Sequence, residues 1–111
     1  MAKFVVIYTA PETAEDVMAN NDPEAAAEGM QAWMAWAGKA GENLSDLGAP
    51  LGNGRELTLV GESATGSGVS GYSFLEAGSM EEALRVMEGH PHLMMPGASI
   101  QVYEALPIPG M

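Results

Sequence analysis

Cysteine is absent from this 111-residue chain. That excludes disulfides, thiolate metal sites and a cysteine nucleophile, and it fits a reducing compartment. Positive charge is nearly as scarce. Lys3, Lys39, Arg55 and Arg85 stand against fifteen acidic residues, for a formal net charge of -11. Four scattered cations form no stripe that could displace counterions from nucleic-acid phosphates or hold an anionic membrane surface. No stretch approaches the roughly 18 consecutive apolar residues of a membrane helix. The opening "MAKFVVIYT" lacks the length and cleavage site of a signal peptide. The expected location is cytoplasmic, and neither nucleic acid nor membrane is an expected partner. Phosphate-cradling loops are missing too, because "GNG" and "GSG" lie outside any strand-to-helix context. No His, Asp and Glu set carries metal-ligand spacing, so neither a metal nor an organic cofactor is expected.

What the chain does contain is apolar residues, 47% of the total. That suffices for one domain, residues 1–111, with its own core. Residues 3–9, "KFVVIYT", are dense in β-branched and aromatic side chains and predict a strand apolar on both faces. Residues 11–18 predict one or two helical turns. Asp22 before Pro23 marks a helix start, since the carboxylate caps free amides and proline suits the first turn. The helix runs to about Gly41, with Met30, Trp33, Met34, Ala37 and Ala40 as its apolar stripe and Trp36 on the flank. A short strand is expected near residues 43–48 and a turn at residues 52–54. Residues 55–61, "RELTLVG", predict a strand with Leu57 and Leu59 on one face. Residues 62–68 read as a flexible turn, and residues 69–77 as a strand with Tyr72 and Phe74 on one side.

Ser79 to Glu82 form a capping box, and Met80, Ala83, Leu84 and Met87 line the helix that follows. Gly89 and Pro91 end it. Residues 99–106, "SIQVYEAL", alternate as a last strand. The order strand–helix–strand–strand–helix–strand is the α+β, ferredoxin-like β-α-β-β-α-β arrangement. Right-handed crossovers put both helices on one side of the sheet. The other side then has apolar residues and no cover, which a second copy can supply by meeting it sheet to sheet. A homodimer is expected, with the apolar tail, residues 105–111, at its interface.

The carboxyl half, "GVSGYSFLEAGSMEEALRVMEGHPHL" with "GASIQVYEALPIPGM", and the earlier "AWMAWAGKAGENLSDLGAPLG", resemble the YCII-related proteins. The likeness covers the opening strand and most of the chain from Met30 onward. It implies a ferredoxin-like fold assembled as a dimeric α/β barrel. Some members carry a histidine–aspartate pair proposed as catalytic, with the histidine in the first half. Here no histidine precedes His90, so only the acid carries over, onto Asp46.

His90 and His92, the chain's two histidines, admit two readings. They belong to the helix exit, meeting free carbonyls there, or they sit in a small-molecule pocket. Their intrinsic pKa suits proton transfer, with Asp46, Glu88 or Glu104 as possible carboxylate partners. Asp46 caps a turn or orients a ring. Tyr72 packs within the sheet or donates to a developing oxyanion. Trp36, Met94, Tyr103 and Glu104 are candidate pocket walls, with packing or interface as the alternative for each. Three function classes follow: an enzyme acting on a small organic molecule by general acid–base chemistry, with His90 or His92, Asp46 and Tyr72 as the catalytic set; a non-catalytic small-molecule-binding or accessory dimer; and a purely structural oligomer, which would have no cavity of ligand size.

Overall fold

Strand-forming side chains at Phe4, Val5, Val6, Ile7 and Tyr8 commit the amino-terminal segment to an extended backbone. In the computed structural model, which describes residues 1–12 and 22–110, this segment is strand β1, Ala2–Thr9. The helical turns expected at residues 11–18 fall mainly outside the described residues. Helix α1 spans Pro23–Ala40, and its start has the expected cap, the Asp22 carboxylate accepting from the Ala25 amide at 2.7 Å. Strand β2, Leu44–Pro50, follows a single 3-10 turn. Strands β3, Arg55–Thr58, and β4, Gly61–Ala64, precede the long strand β5, Val69–Ala77. Helix α2, Met80–Met87, and strand β6, Ser99–Glu104, complete the described elements.

The main sheet has the order β2-β5-β1-β6, and each neighbouring pair is antiparallel. This is an α+β chain whose strand order is compatible with a ferredoxin-like fold. Both helices pack on one side. Phe4, Val6, Leu75 and Ala77 of the sheet meet Trp36, Ala40, Ala83 and Met87 of the helices in one buried cluster. The period of two sends Val5, Ile7, Tyr72 and Phe74 to the opposite side, where each is half-buried and, among the described residues, no element packs over them. Cross-strand pairing aligns them: Val5 faces Phe74, and Ile7 faces Tyr72. Gly48 admits no larger residue. Its φ is +80°, and a Cβ there would lie 1.8 Å from the Tyr72 carbonyl oxygen, so β2 can bulge against β5 only with glycine.

Five expectations need correction. The stripe of α1 is turned: Trp36 and Ala40 are buried, while Met30 and Met34 are exposed. Trp36 is drawn in because its indole Nε1 donates to the Val86 carbonyl at 2.9 Å, a partner that exists only once α2 is docked. On α2, Leu84 is exposed and Val86 packs inward instead. Residues 55–61 are not one strand. The chain reverses after Thr58, whose hydroxyl accepts from the Val60 amide, and β4 forms from residues read as a flexible turn. The capping box is present but shifted: Ser79 accepts from the Glu82 amide, while Glu82 reaches back to the Gly78 amide rather than to Ser79. Finally, β6 ends at Glu104, and Leu106 beyond it is exposed.

Candidate functional site

A tyrosine on the buried face of a strand must find a partner for its phenol. Tyr8, 1% exposed, hydrogen-bonds Ser73 on the adjacent strand β5 at 2.8 Å. Ser73 donates its single proton to the Leu47 carbonyl at 2.6 Å. The Tyr8 hydroxyl is therefore the donor to Ser73. Burial pushes the Tyr8 phenol up to about 12, against a smaller opposing effect of the Ser73 hydrogen bond.

The two histidines close over this pair from the exit of α2. Gly89, at φ +74°, releases the helix, and the chain turns through one 3-10 turn, Pro91–Met94. His90 caps that turn: its Nδ1 accepts from the His92 amide at 3.0 Å. His92 in turn places Nε2 2.8 Å from the Thr9 carbonyl. A carbonyl only accepts, so the His92 proton lies on Nε2. The same logic puts the proton of neutral His90 on Nε2, because Nδ1 is already an acceptor. That Nε2–H is buried and has no hydrogen-bond partner among the described residues. Its ring instead sits among aromatic rings, with centroids 4.3 Å from Trp33, 4.3 Å from Trp36 and 5.1 Å from Tyr8. Desolvation, and secondarily the neighbouring His92, pull the His90 pKa down to about 4. The ring is neutral at physiological pH, an N–H donor with no free lone pair.

Outside Trp36 lies a cleft of about 380 Å³ between α1 and residues 88–94. Trp36, Lys39, Glu88, Pro91 and Met94 are among its walls. Trp36 thus separates the histidine cluster from the cleft. The volume is at the low end of ligand sites, which run from roughly 300 to 1,000 Å³.

The predicted residues divide between the two sides of the sheet. His90, His92 and Trp36 come together on the helix side, and Met94 joins Trp36 at the cleft. Tyr72 lies on the open side, its ring 5.5 Å from Phe74. Asp46 pairs with Phe74 across the strands, is exposed, and accepts from the Gly48 amide at 2.8 Å as a turn cap. Tyr103, opposite Val5, donates to Gln101 on the same open side. Glu104 is exposed at the end of β6. No hydrogen bond joins either histidine ring to a carboxylate among the described residues, and no group of three or more His, Asp and Glu is placed there to hold a metal.

Sequence reasoning missed Tyr8, Ser73 and Lys39 as parts of this region. A signal existed for the first two: Tyr8 ends the inward row Phe4, Val6, and Ser73 interrupts the inward row of Gly71, Leu75 and Ala77. A polar atom in such a row announces a buried partner. Comparison with protein-family models, with curated proteins and with solved structures found no match to this chain. Among the described residues no helix is long and apolar enough to cross a membrane.

Proposed function

We propose that this is a YCII-related-type protein that works as a two-fold, sheet-to-sheet dimer in the cytoplasm. Each protomer holds a small organic molecule in the cleft beside Trp36 without transforming it. The cleft carries the reading: an indole wall, Pro91 and Met94 give it an apolar surface, and Lys39 and Glu88 add one charge of each sign. That pattern suits a small ring-bearing molecule with a polar or charged group. The open sheet side, with Val5, Ile7, Tyr72 and Phe74 half-buried and uncovered by any element among the described residues, supports the dimer.

Binding is favoured over acid–base turnover by the state of the rings. His90 has its Nδ1 lone pair engaged and its Nε2 proton held in an aromatic enclosure. His92 gives its Nε2 proton to a backbone carbonyl. A catalytic set of His90 or His92 with Asp46 and Tyr72 would have to work across the sheet.

The test uses two probes of opposite charge, phenylacetate and phenethylamine, titrated into ¹⁵N-labelled protein. Saturable shifts of the Trp36 indole N–H and the Gly89 amide are expected with at least one probe. Ala35→Trp, which fills the cleft from an exposed helix position, should abolish them. Absence of saturation at Trp36 with both probes refutes the site, as does an unchanged response in the filled variant. Sedimentation as a single 11.6 kDa species at low micromolar concentration would refute the dimer.

A further inference from the structure

The β3–β4 ribbon stands apart from the domain that carries it. Its eight strand residues are all exposed, and its two strands pair only with each other. Among the described residues neither makes an extended contact with another element. Its tip is apolar: Leu57 is 83% exposed, Leu59 107% and Val60 97%. The radius of gyration, 15.4 Å, exceeds the roughly 13 Å of a compact chain this long, as a projecting ribbon requires. An isolated two-stranded hairpin is marginal in water, and the Arg55–Glu62 pair, exposed on both sides, adds little. Such an arm needs a surface to rest on.

We infer that the β3–β4 arm of each protomer lies across a second copy of this chain, and that Leu57, Leu59 and Val60 complete the interface begun by the open sheet side. The inference rests on the sheet-to-sheet dimer proposed above. Area argues for the second copy as occupant. Four strands about 4.8 Å apart and roughly 25 Å long offer a face of about 500 Å². A stable pair needs about 800 Å² from each partner. Three fully exposed aliphatic side chains bring roughly 200–350 Å² more, which closes the gap. Topology agrees. The arm leaves the sheet between β2 and β5, where Pro50 pairs with Gly71, one step along from Tyr72 on the open side. It therefore starts at the Tyr72 end of the face that must be covered. Two-fold symmetry then places each arm on the copy opposite. A sheet-to-sheet pair without arms would leave six of the most exposed aliphatic side chains in water.

The experiment measures self-association by sedimentation equilibrium for three proteins: the natural chain, the triple variant Leu57→Ser, Leu59→Ser, Val60→Ser, and Phe74→Lys. The side chains at these three positions are almost wholly exposed within the protomer, so the triple variant should keep its circular dichroism and its amide spectrum. The expected result is a dimer for the natural chain and a dissociation constant at least about 100-fold higher for the triple variant. A photo-crosslinking residue at position 59 should also yield a covalent dimer. If the triple variant associates as tightly as the natural chain while Phe74→Lys is monomeric, the arm inference is overturned and the sheet-to-sheet dimer stands. Crosslinks confined to one chain overturn it equally. A monomeric natural chain removes the dimer reading and the arm with it.

Discussion

Acidification should weaken this protein through His90. The ring is 1% exposed, its Nδ1 receives the His92 amide, and its Nε2 has no acceptor. A second proton would break the first of these bonds and leave a charge among Tyr8, Trp33 and Trp36. The folded pKa accordingly falls from 6.5 to about 4, with desolvation as the main cause and His92 as the second. In the unfolded chain the ring titrates near its ordinary value, so between these two values the unfolded state binds more protons. Stability therefore rises with pH across that window. The contribution is complete above the unfolded pKa and is lost as pH falls towards the folded one. At about 1.4 kcal/mol per pKa unit, the total is on the order of 3 kcal/mol, of which roughly 2 kcal/mol is gone by about pH 5. Urea unfolding at about pH 7.5 and about pH 5 measures it. Acidic groups also respond over this range, so the control is His90→Asn, which keeps an acceptor for the His92 amide and cannot titrate. The natural protein should lose roughly 2 kcal/mol more than the variant between the two conditions. Parallel losses would refute the reasoning, as would an NMR titration placing the His90 midpoint at or above 6.5.

Other consequences follow from the same geometry. Ser73→Ala strands both the Tyr8 hydroxyl and the Leu47 carbonyl, whereas Tyr8→Phe leaves Ser73 still bonded to Leu47. The serine variant should cost roughly 2–3 kcal/mol and the phenylalanine variant about 1, as read from urea midpoints. Gly48→Ala should cost more than about 2 kcal/mol, because a Cβ meets the Tyr72 carbonyl and the backbone is left-handed there; an unchanged midpoint would show that β2 does not bulge in this way. Ser79→Ala removes the side-chain cap of α2 and should cost about 1 kcal/mol, with faster amide exchange at Glu82.

How far the sequence was readable depends on the range of the interaction involved. Asp22 with Pro23 opens α1, and the alternating run at residues 69–77 is β5, because a cap and a two-residue period are local. The turned stripe of α1 was not local. Its apolar residues, Met30, Trp33, Met34, Trp36, Ala37 and Ala40, reach around most of the helix, so several faces were equally greasy. The Val86 carbonyl, 50 positions away from Trp36, selected one. Likewise "RELTLVG" reads as a strand because Leu57 and Leu59 alternate. Only the reversal at Leu59 and Val60 shows that its hydrogen bonds go to residues 61–64 and not to the main sheet.

By itself, then, the chain determined the four strands of its main sheet, the helices α1 and α2 and a histidine-bearing turn at the exit of α2, since each follows from contacts within a few residues. Only the tertiary structure decided that His90 would be buried as an N–H donor among three aromatic rings, with Asp46 and Tyr72 on the far side of the sheet. The physical reason is that strand order and helix phase are set by which distant surfaces exclude water together. A spacing between residues does not say on which side of a sheet they will end.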